Sequence, residues 1–165
     1  QLWADVSAVT AQALDNFIAM RAAEGEKLRA DILSRLVYLE QAVGEIEQTS
    51  AERVQKYTEK LYAKLKALLE DTNIDEARIL TEAAIFADKV AVDEETVRLH
   101  SHLDQLREML AQDGSVGRKL DFLIQEFNRE ANTIGSKCSD VALSRVVVDL
   151  KGEIEKIREQ VQNIE

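Results

Sequence analysis

The chain has no proline in 165 residues, and its apolar residues recur at intervals of three and four. Proline breaks helices, and this spacing lines apolar side chains along one face of a helix. Residues that favour helices, such as alanine, leucine and glutamate, are abundant, whereas aromatic residues make up only 5%. The sequence therefore predicts an all-α fold.

Two long apolar seams predict an extended shape. The first helical pattern runs from about Ser7 to Thr49, and the last runs from about Asp140 to Ile164. In the last, apolar residues alternate strictly at spacings of four and three, as in coiled coils. We expect an extended antiparallel pair of long, coiled-coil-like helices with a smaller helical cluster. The seam around Ile154 and Ile157 faces either the opening helix folded back or another subunit, and exposed seams favour a homo-oligomer.

Shorter helices connect these seams, and they are predicted from periodicity and capping residues. They cover about Ala51–Leu69, Asp75–Lys89 and Glu94–Ala111, with a turn over Glu70–Ile74 and Asp93 as an N-cap. A fifth helix lies between a break at Asp113 and Gly114 and a turn from Gly135 to Ser139. The chain divides into a long helical arm (1–70), a helical cluster (71–139) and a C-terminal helix (140–165) that packs back on the arm within one structural unit.

Charge and cysteine content limit the functional classes. The net charge of −10 disfavours nucleic-acid binding by the chain as a whole, but residues 117–165 hold 8 basic and 9 acidic side chains and are nearly neutral. The single cysteine, Cys138, cannot form an internal disulfide. No stretch is apolar enough to span a membrane or resembles a secretion signal. We therefore expect a cytoplasmic protein.

The fifth helix carries a polar face that is rich in amide and hydroxyl groups. A sector about 100° wide, separate from the apolar stripe, holds Asp121, Gln125, Asn128, Arg129, Asn132 and Ser136. Such side chains compete for backbone hydrogen bonds and are poor choices for helix stability alone. They are suited to contact phosphates and base edges, or to bond a neighbouring helix.

Three stretches of the chain resemble a known family. They are DFLIQEFNREANTIGSK followed by a helix ending in IREQVQNIE, MRAAEGEKLRADILSRL from Met20 to Leu36, and DEETVRLHSHLDQLR from Asp93 to Arg107. In this order they resemble the carboxy-terminal region of the YicC/YloC family of bacterial endoribonucleases, over nearly the whole chain. Family members carry an amino-terminal domain before this region, so we expect the chain to be a fragment that lacks that domain.

The resemblance implies a metal-dependent endoribonuclease that cleaves RNA phosphodiester bonds as a homo-oligomer. Its partners would be RNA and the amino-terminal domain of the same protein, and its cofactor a divalent cation, Mn²⁺ or Mg²⁺. Composition alone favours a different class, a non-catalytic helical scaffold or an RNA- or protein-binding module. Cleavage of RNA that a chelator abolishes would separate these hypotheses.

His102 is the best candidate for a general acid or base. Glu95, Arg98 and His102 share one face of the fourth helix, where an imidazole could move a proton and Arg98 could hold an RNA phosphate. The same spacing is common in surface ion-pair ladders, which is the alternative. His100 points away from this face and is expected to be solvated.

Glu126 and Glu130 lie one turn apart on the fifth helix and repel each other unless a divalent cation or lysines neutralise them. We predict that they are catalytic residues and metal ligands, with Asp121 as a further ligand. Surface salt bridges to Lys119 and Lys137 explain them about as well.

The polar face supplies the remaining candidates. The predicted RNA-binding residues are Arg98, Gln125, Asn128, Arg129, Asn132 and Lys137. Phe122 lies off the apolar stripe, and it either stacks on an unpaired base or is buried against another helix.

Overall fold

The computed structural model of the chain describes residues 2–69, 76–112, 114, 116–138 and 140–164. None of these residues forms a strand. The helices are α1 (Leu2–Leu69), α2 (Glu76–Val90), α3 (Asp93–Leu110), α4 (Gly117–Lys137) and α5 (Val141–Val161). The predicted all-α class, with a long helix and a smaller helical cluster, is confirmed.

Helix α1 is continuous over 68 residues, so the predicted boundary between Thr49 and Ala51 is wrong. Ser50 is helical and only 7% exposed. Threonine and serine lower helix propensity by only tenths of a kcal/mol, and no proline or glycine follows them to end the helix. The turn predicted over residues 70–74 lies outside the described residues.

Two smaller predictions about helix ends are also wrong. Asp93 is the first residue of α3 rather than its N-cap, and Val92 takes the cap position without a side-chain bond. Acidic side chains in the first turn, Asp93 included, still suit the positive end of the helix dipole. Helix α4 continues through Gly135 to Lys137, because the buried Ile134 packs this last turn into the core and offsets the roughly 1 kcal/mol cost of a helical glycine.

The breaks between α3, α4 and α5 have clear local causes. Gly114 has a φ of 107°, in the left-handed region that glycine adopts without strain. Asp113, the other residue of the predicted break, lies outside the described part of the chain. Asp140 caps α5, since its carboxylate accepts from the backbone amides of Ala142 at 2.6 Å and Leu143 at 3.3 Å.

The middle of α1 forms a four-helix bundle with α3, α4 and α5. Contacts run in a cycle from α1 to α3, α4, α5 and back to α1. Helices α1 and α3 are antiparallel, because Arg107 meets Glu40 whereas His100, earlier in α3, meets Glu47, later in α1. Helix α5 is joined to α1 by the ion pair of Glu153 with Arg35. The core contains apolar residues of all four helices, including Ile32, Leu36, Leu39, Val43, Ile46, Leu99, Leu103, Leu106, Leu120, Ile124, Phe127, Ile134, Leu143, Leu150, Ile154 and Ile157.

This core changes the interpretation of both seams. Ile154 and Ile157 are fully buried within the chain, so the alternative of a subunit contact at this seam is wrong. The α1 seam is buried only from Ile32 onward, whereas Leu14 and Ile18 are 55% and 63% exposed. Within the predicted arm (1–70), residues 2–27 are exposed throughout, and the name arm is used from here on for these residues alone. At 1.5 Å per residue the arm is about 39 Å long.

Helix α2 packs on the distal part of α1 instead of joining the bundle core. The rings of Tyr57 on α1 and Phe86 on α2 stack with their centroids 3.8 Å apart and their planes at 10°. Among the described helices, none combines the length and apolarity that a membrane span requires.

Candidate metal and nucleic-acid site

The antiparallel packing of α3 and α4 brings the predicted catalytic residues together. His102 of α3 and Glu126 and Glu130 of α4 each offer one ligand atom, and these atoms lie within 4.8 Å of one another. Both helices are fixed by buried residues next to the site, Leu103 on α3 and Phe127 on α4. We call these three residues the His–Glu–Glu cluster.

His102 is half-buried, and both of its ring nitrogens are shielded from water without a hydrogen-bond partner among the described residues. Its ring lies 5.7 Å from that of Phe127, at an angle of 59°. Burial lowers the pKa of His102 below the usual 6.5, although Glu130 and Glu126 oppose this effect. The imidazole is therefore neutral at neutral pH and keeps a free lone pair. It does not join the ion-pair ladder that its spacing also predicted.

Arg98 connects Glu130 of the cluster to two acidic residues of its own helix, Glu94 and Glu95. Its Nε donates to Glu130 at 2.9 Å, and its terminal nitrogens lie 3.3 Å from Glu94 and Glu95. The hydrogen bond to Glu130 is the main cause of the raised pKa of Arg98. Glu130 is only 4% exposed, so this contact fixes a buried carboxylate beside His102.

Lys137 anchors the far end of this network. Its ammonium group lies 3.0 Å from both carboxylate oxygens of Glu95 and donates to the carbonyl of Ala91 at 2.8 Å. Glu95 is only 4% exposed, and two cations, Lys137 and Arg98, compensate the charge of its buried carboxylate. Sequence reasoning missed this role of Glu95, although its helical spacing with Arg98 was visible. Lys137 thus pairs with Glu95 rather than with Glu126 or Glu130.

The other candidates lie on the outer side of α4. Gln125, Arg129 and Asn132 are exposed, and Asn128 is half-buried. Arg129 lies 3.7 Å from Glu126, so it borders the cluster.

Two candidate residues of α4, Asp121 and Phe122, lie outside the cluster. Asp121, predicted as a further metal ligand, is not in the cluster; its carboxylate accepts a hydrogen bond from Gln125 at 2.9 Å. Phe122 is 64% exposed, so the interpretation that it is buried against another helix is wrong.

The His–Glu–Glu cluster fits a divalent cation. Two carboxylates and a neutral imidazole are a mixed oxygen and nitrogen donor set, which suits Mn²⁺ better than Mg²⁺, because Mg²⁺ prefers oxygen ligands throughout. The two buried ring nitrogens of His102 lack partners within the described part of the chain, as expected where a ligand completes the site. Among the residues that the structure describes, Glu126 is approached by Arg129 at 3.7 Å, which leaves most of its acceptor capacity for a cation.

The fold and the cluster define a class of protein, an all-α bundle with a candidate divalent-metal centre between two antiparallel helices. Residues 46–165 match the family described as "Endoribonuclease YicC-like, C-terminal". The chain belongs to this YicC-like family, as the sequence resemblance predicted.

Two curated relatives support this assignment. A protein of Clostridioides difficile (strain 630) named "Probable endoribonuclease YicC" is 48% identical over 165 residues, covering 99% of this chain and 56% of the relative. A protein of the same name from Haemophilus influenzae is 38% identical over 152 residues, covering 92% of this chain and 52% of the relative. The chain spans about half the length of the curated relatives it matches.

Proposed function

We propose that this chain carries the active site of a metal-dependent endoribonuclease that cleaves RNA phosphodiester bonds. The observation that carries the proposal is the convergence of Glu126 and Glu130 on the half-buried His102, whose shielded ring nitrogens have no partner among the described residues. Both relatives are named as probable endoribonucleases, which agrees with this chemistry.

In this proposal the three side chains of the cluster hold a divalent cation, preferably Mn²⁺. Such an ion supplies positive charge that stabilises the negative charge developing on a phosphate under attack. His102 contributes a neutral nitrogen without first losing a proton, because burial lowers its pKa. Arg98, held beside the cluster by Glu130, orients a phosphate oxygen. The outer side of α4, with Gln125, Asn128, Arg129 and Asn132, binds the RNA next to the cluster.

The test is cleavage of a fluorescent single-stranded RNA by the full chain in EDTA and after Mn²⁺ is restored. We expect cleavage only with Mn²⁺, and a loss of orders of magnitude in Glu126→Gln and Glu130→Gln with RNA binding retained. Glu155→Gln is the control, because Glu155 is an exposed carboxylate on α5. Cleavage that persists in EDTA, or wild-type rates in both cluster variants, would refute the proposal.

A second candidate function is assembly, and the arm favours it. Large apolar residues of the arm are exposed, namely Leu2, Trp3, Val6, Val9, Leu14, Phe17, Ile18 and Met20. A contiguous apolar face of this extent is characteristic of a protein contact. We propose that the arm joins copies of the chain into a homo-oligomer, and that Ile18→Asp lowers the mass seen by sedimentation while leaving the helical content unchanged. An unchanged mass would count against the arm as the interface.

A further inference from the structure

Phe122 is the aromatic residue of α4 that the core does not use. The apolar stripe of the same helix is buried, whereas Phe122 is 64% exposed. Its ring contributes little to the core, and any helix-forming polar residue would serve stability there at least as well. Its surroundings show what an exposed ring could bind.

Basic and amide side chains border this ring on the outer side of α4, and Glu126 of the cluster borders it on the other side. Arg118 precedes Phe122 by four residues and Gln125 follows it by three, so both are its neighbours on the helix surface. Arg129 lies one further turn along the same sector, and all of these side chains are exposed. An aromatic ring between arginines is the composition of surfaces that bind single-stranded nucleic acid, where bases stack and cations hold phosphates.

The position of Phe122 relative to the cluster supports the same occupant. Glu126 lies four residues after Phe122, about one helical turn of 5.4 Å along α4. Successive stacked nucleotides advance by about 3.4 Å, so this offset corresponds to one or two nucleotides. A base stacked on Phe122 would therefore bring a nearby phosphate of the same strand to the cluster.

We propose that Phe122 stacks on an unpaired base of the RNA, one or two nucleotides from the phosphate that is cleaved, and so selects single-stranded RNA. This inference rests on the proposed function. Stacking on a side chain requires a base that is splayed out of a helix, because bases within a duplex stack on each other. Two arginines and an amide around the ring favour RNA over an apolar protein surface as its occupant.

Binding without cleavage tests this assignment directly. The full chain in EDTA is titrated into a single-stranded RNA that carries 2-aminopurine, and into a blunt duplex of the same sequence, with fluorescence and anisotropy recorded. Phe122→Ala is expected to weaken single-strand binding about tenfold, to abolish the change in 2-aminopurine fluorescence and to leave duplex binding unchanged. Phe122→Trp is expected to retain both signals, because it keeps an aromatic face.

Two control variants separate stacking from other roles. Phe122→Leu keeps an apolar side chain without a ring and is expected to behave like Phe122→Ala. Val148→Ala is the matched surface control, since Val148 is 66% exposed on α5. Unchanged single-strand binding by Phe122→Ala, full binding by Phe122→Leu, or a loss of oligomeric mass without a loss of RNA binding would overturn the assignment.

Failure of the proposed function gives a different result. A wild-type chain that binds single-stranded RNA through Phe122 but never cleaves it with Mn²⁺ refutes the nuclease proposal and retains the stacking site. Mn²⁺-dependent cleavage that Phe122→Ala leaves unchanged, on single strands and duplexes alike, refutes the stacking site and retains the nuclease.

Discussion

Replacing Glu130 with glutamine should abolish stabilisation of the chain by Mn²⁺. A ligand that binds only the folded state stabilises it by about 2.7 kcal/mol when its concentration is 100 times Kd. For a chain of this size each kcal/mol raises Tm by about 2–4 °C, so wild type should gain about 5–11 °C. Glu130→Gln keeps the shape of the side chain but removes the negative charge of a metal ligand, so most of this gain should vanish.

The metal-free fold should survive this substitution. Arg98 would keep its contacts with Glu94 and Glu95, so the loss of the Glu130 charge does not leave it without an anion. Tm is measured by circular dichroism in EDTA and at rising Mn²⁺ concentrations. Glu95→Gln is the control, because Glu95 is equally buried and touches the same arginine but lies outside the cluster. A full Mn²⁺ shift in Glu130→Gln, or an equal loss in Glu95→Gln, would refute the assignment of Glu130 as a ligand.

Three further predictions concern other parts of the chain. His102→Ala should lose both the Mn²⁺ shift and cleavage, whereas a retained shift with lost cleavage would assign His102 to proton transfer instead. Arg129→Ala should weaken RNA binding and lower the slope of log K against log salt by about one, and an unchanged slope would exclude a phosphate contact. Glu153 has a lowered pKa, caused first by Lys156 and then by Arg35, so its contribution to stability is present above pH 4.5 and is lost as pH falls through the folded-state value. Glu153→Gln should therefore reduce acid destabilisation in urea titrations below pH 4.5, and an unchanged pH profile would contradict this linkage.

Periodicity predicted where the helices of this chain lie better than it predicted which helices pack against each other. Leu14 and Ile18 have the same four-residue spacing as Leu39 and Val43, yet the first pair is exposed and the second is buried. Spacing shows which side chains share a face, but burial depends on whether another helix reaches that face. For the same reason the sequence could not decide whether Ile154 met another subunit or the same chain.

The candidate site was predictable within each helix and not between helices. Glu126 and Glu130 share a face because they lie one turn apart, which the sequence shows directly. The contact of Lys137 with Glu95 joins residues 42 positions apart, so it depends on the register between α3 and α4. Asp121 is outside the cluster for a reason within α4 itself: it lies nine residues from Glu130, about 180° around the helix, so the prediction of Asp121 as a ligand overlooked spacing that the sequence shows.

If the cluster cleaves RNA as proposed, its position in the bundle would matter for long RNA molecules. The cluster lies between α3 and α4, on the side of the bundle away from the contact of α1 with α5, and the arm extends beyond the bundle. Copies joined through their arms would therefore not need to cover the α3–α4 side of any bundle. One RNA that reaches two clusters binds the second at a high effective concentration, so avidity adds to the affinity of each site. Such an assembly would discriminate by length, retaining long transcripts and releasing short cleavage products.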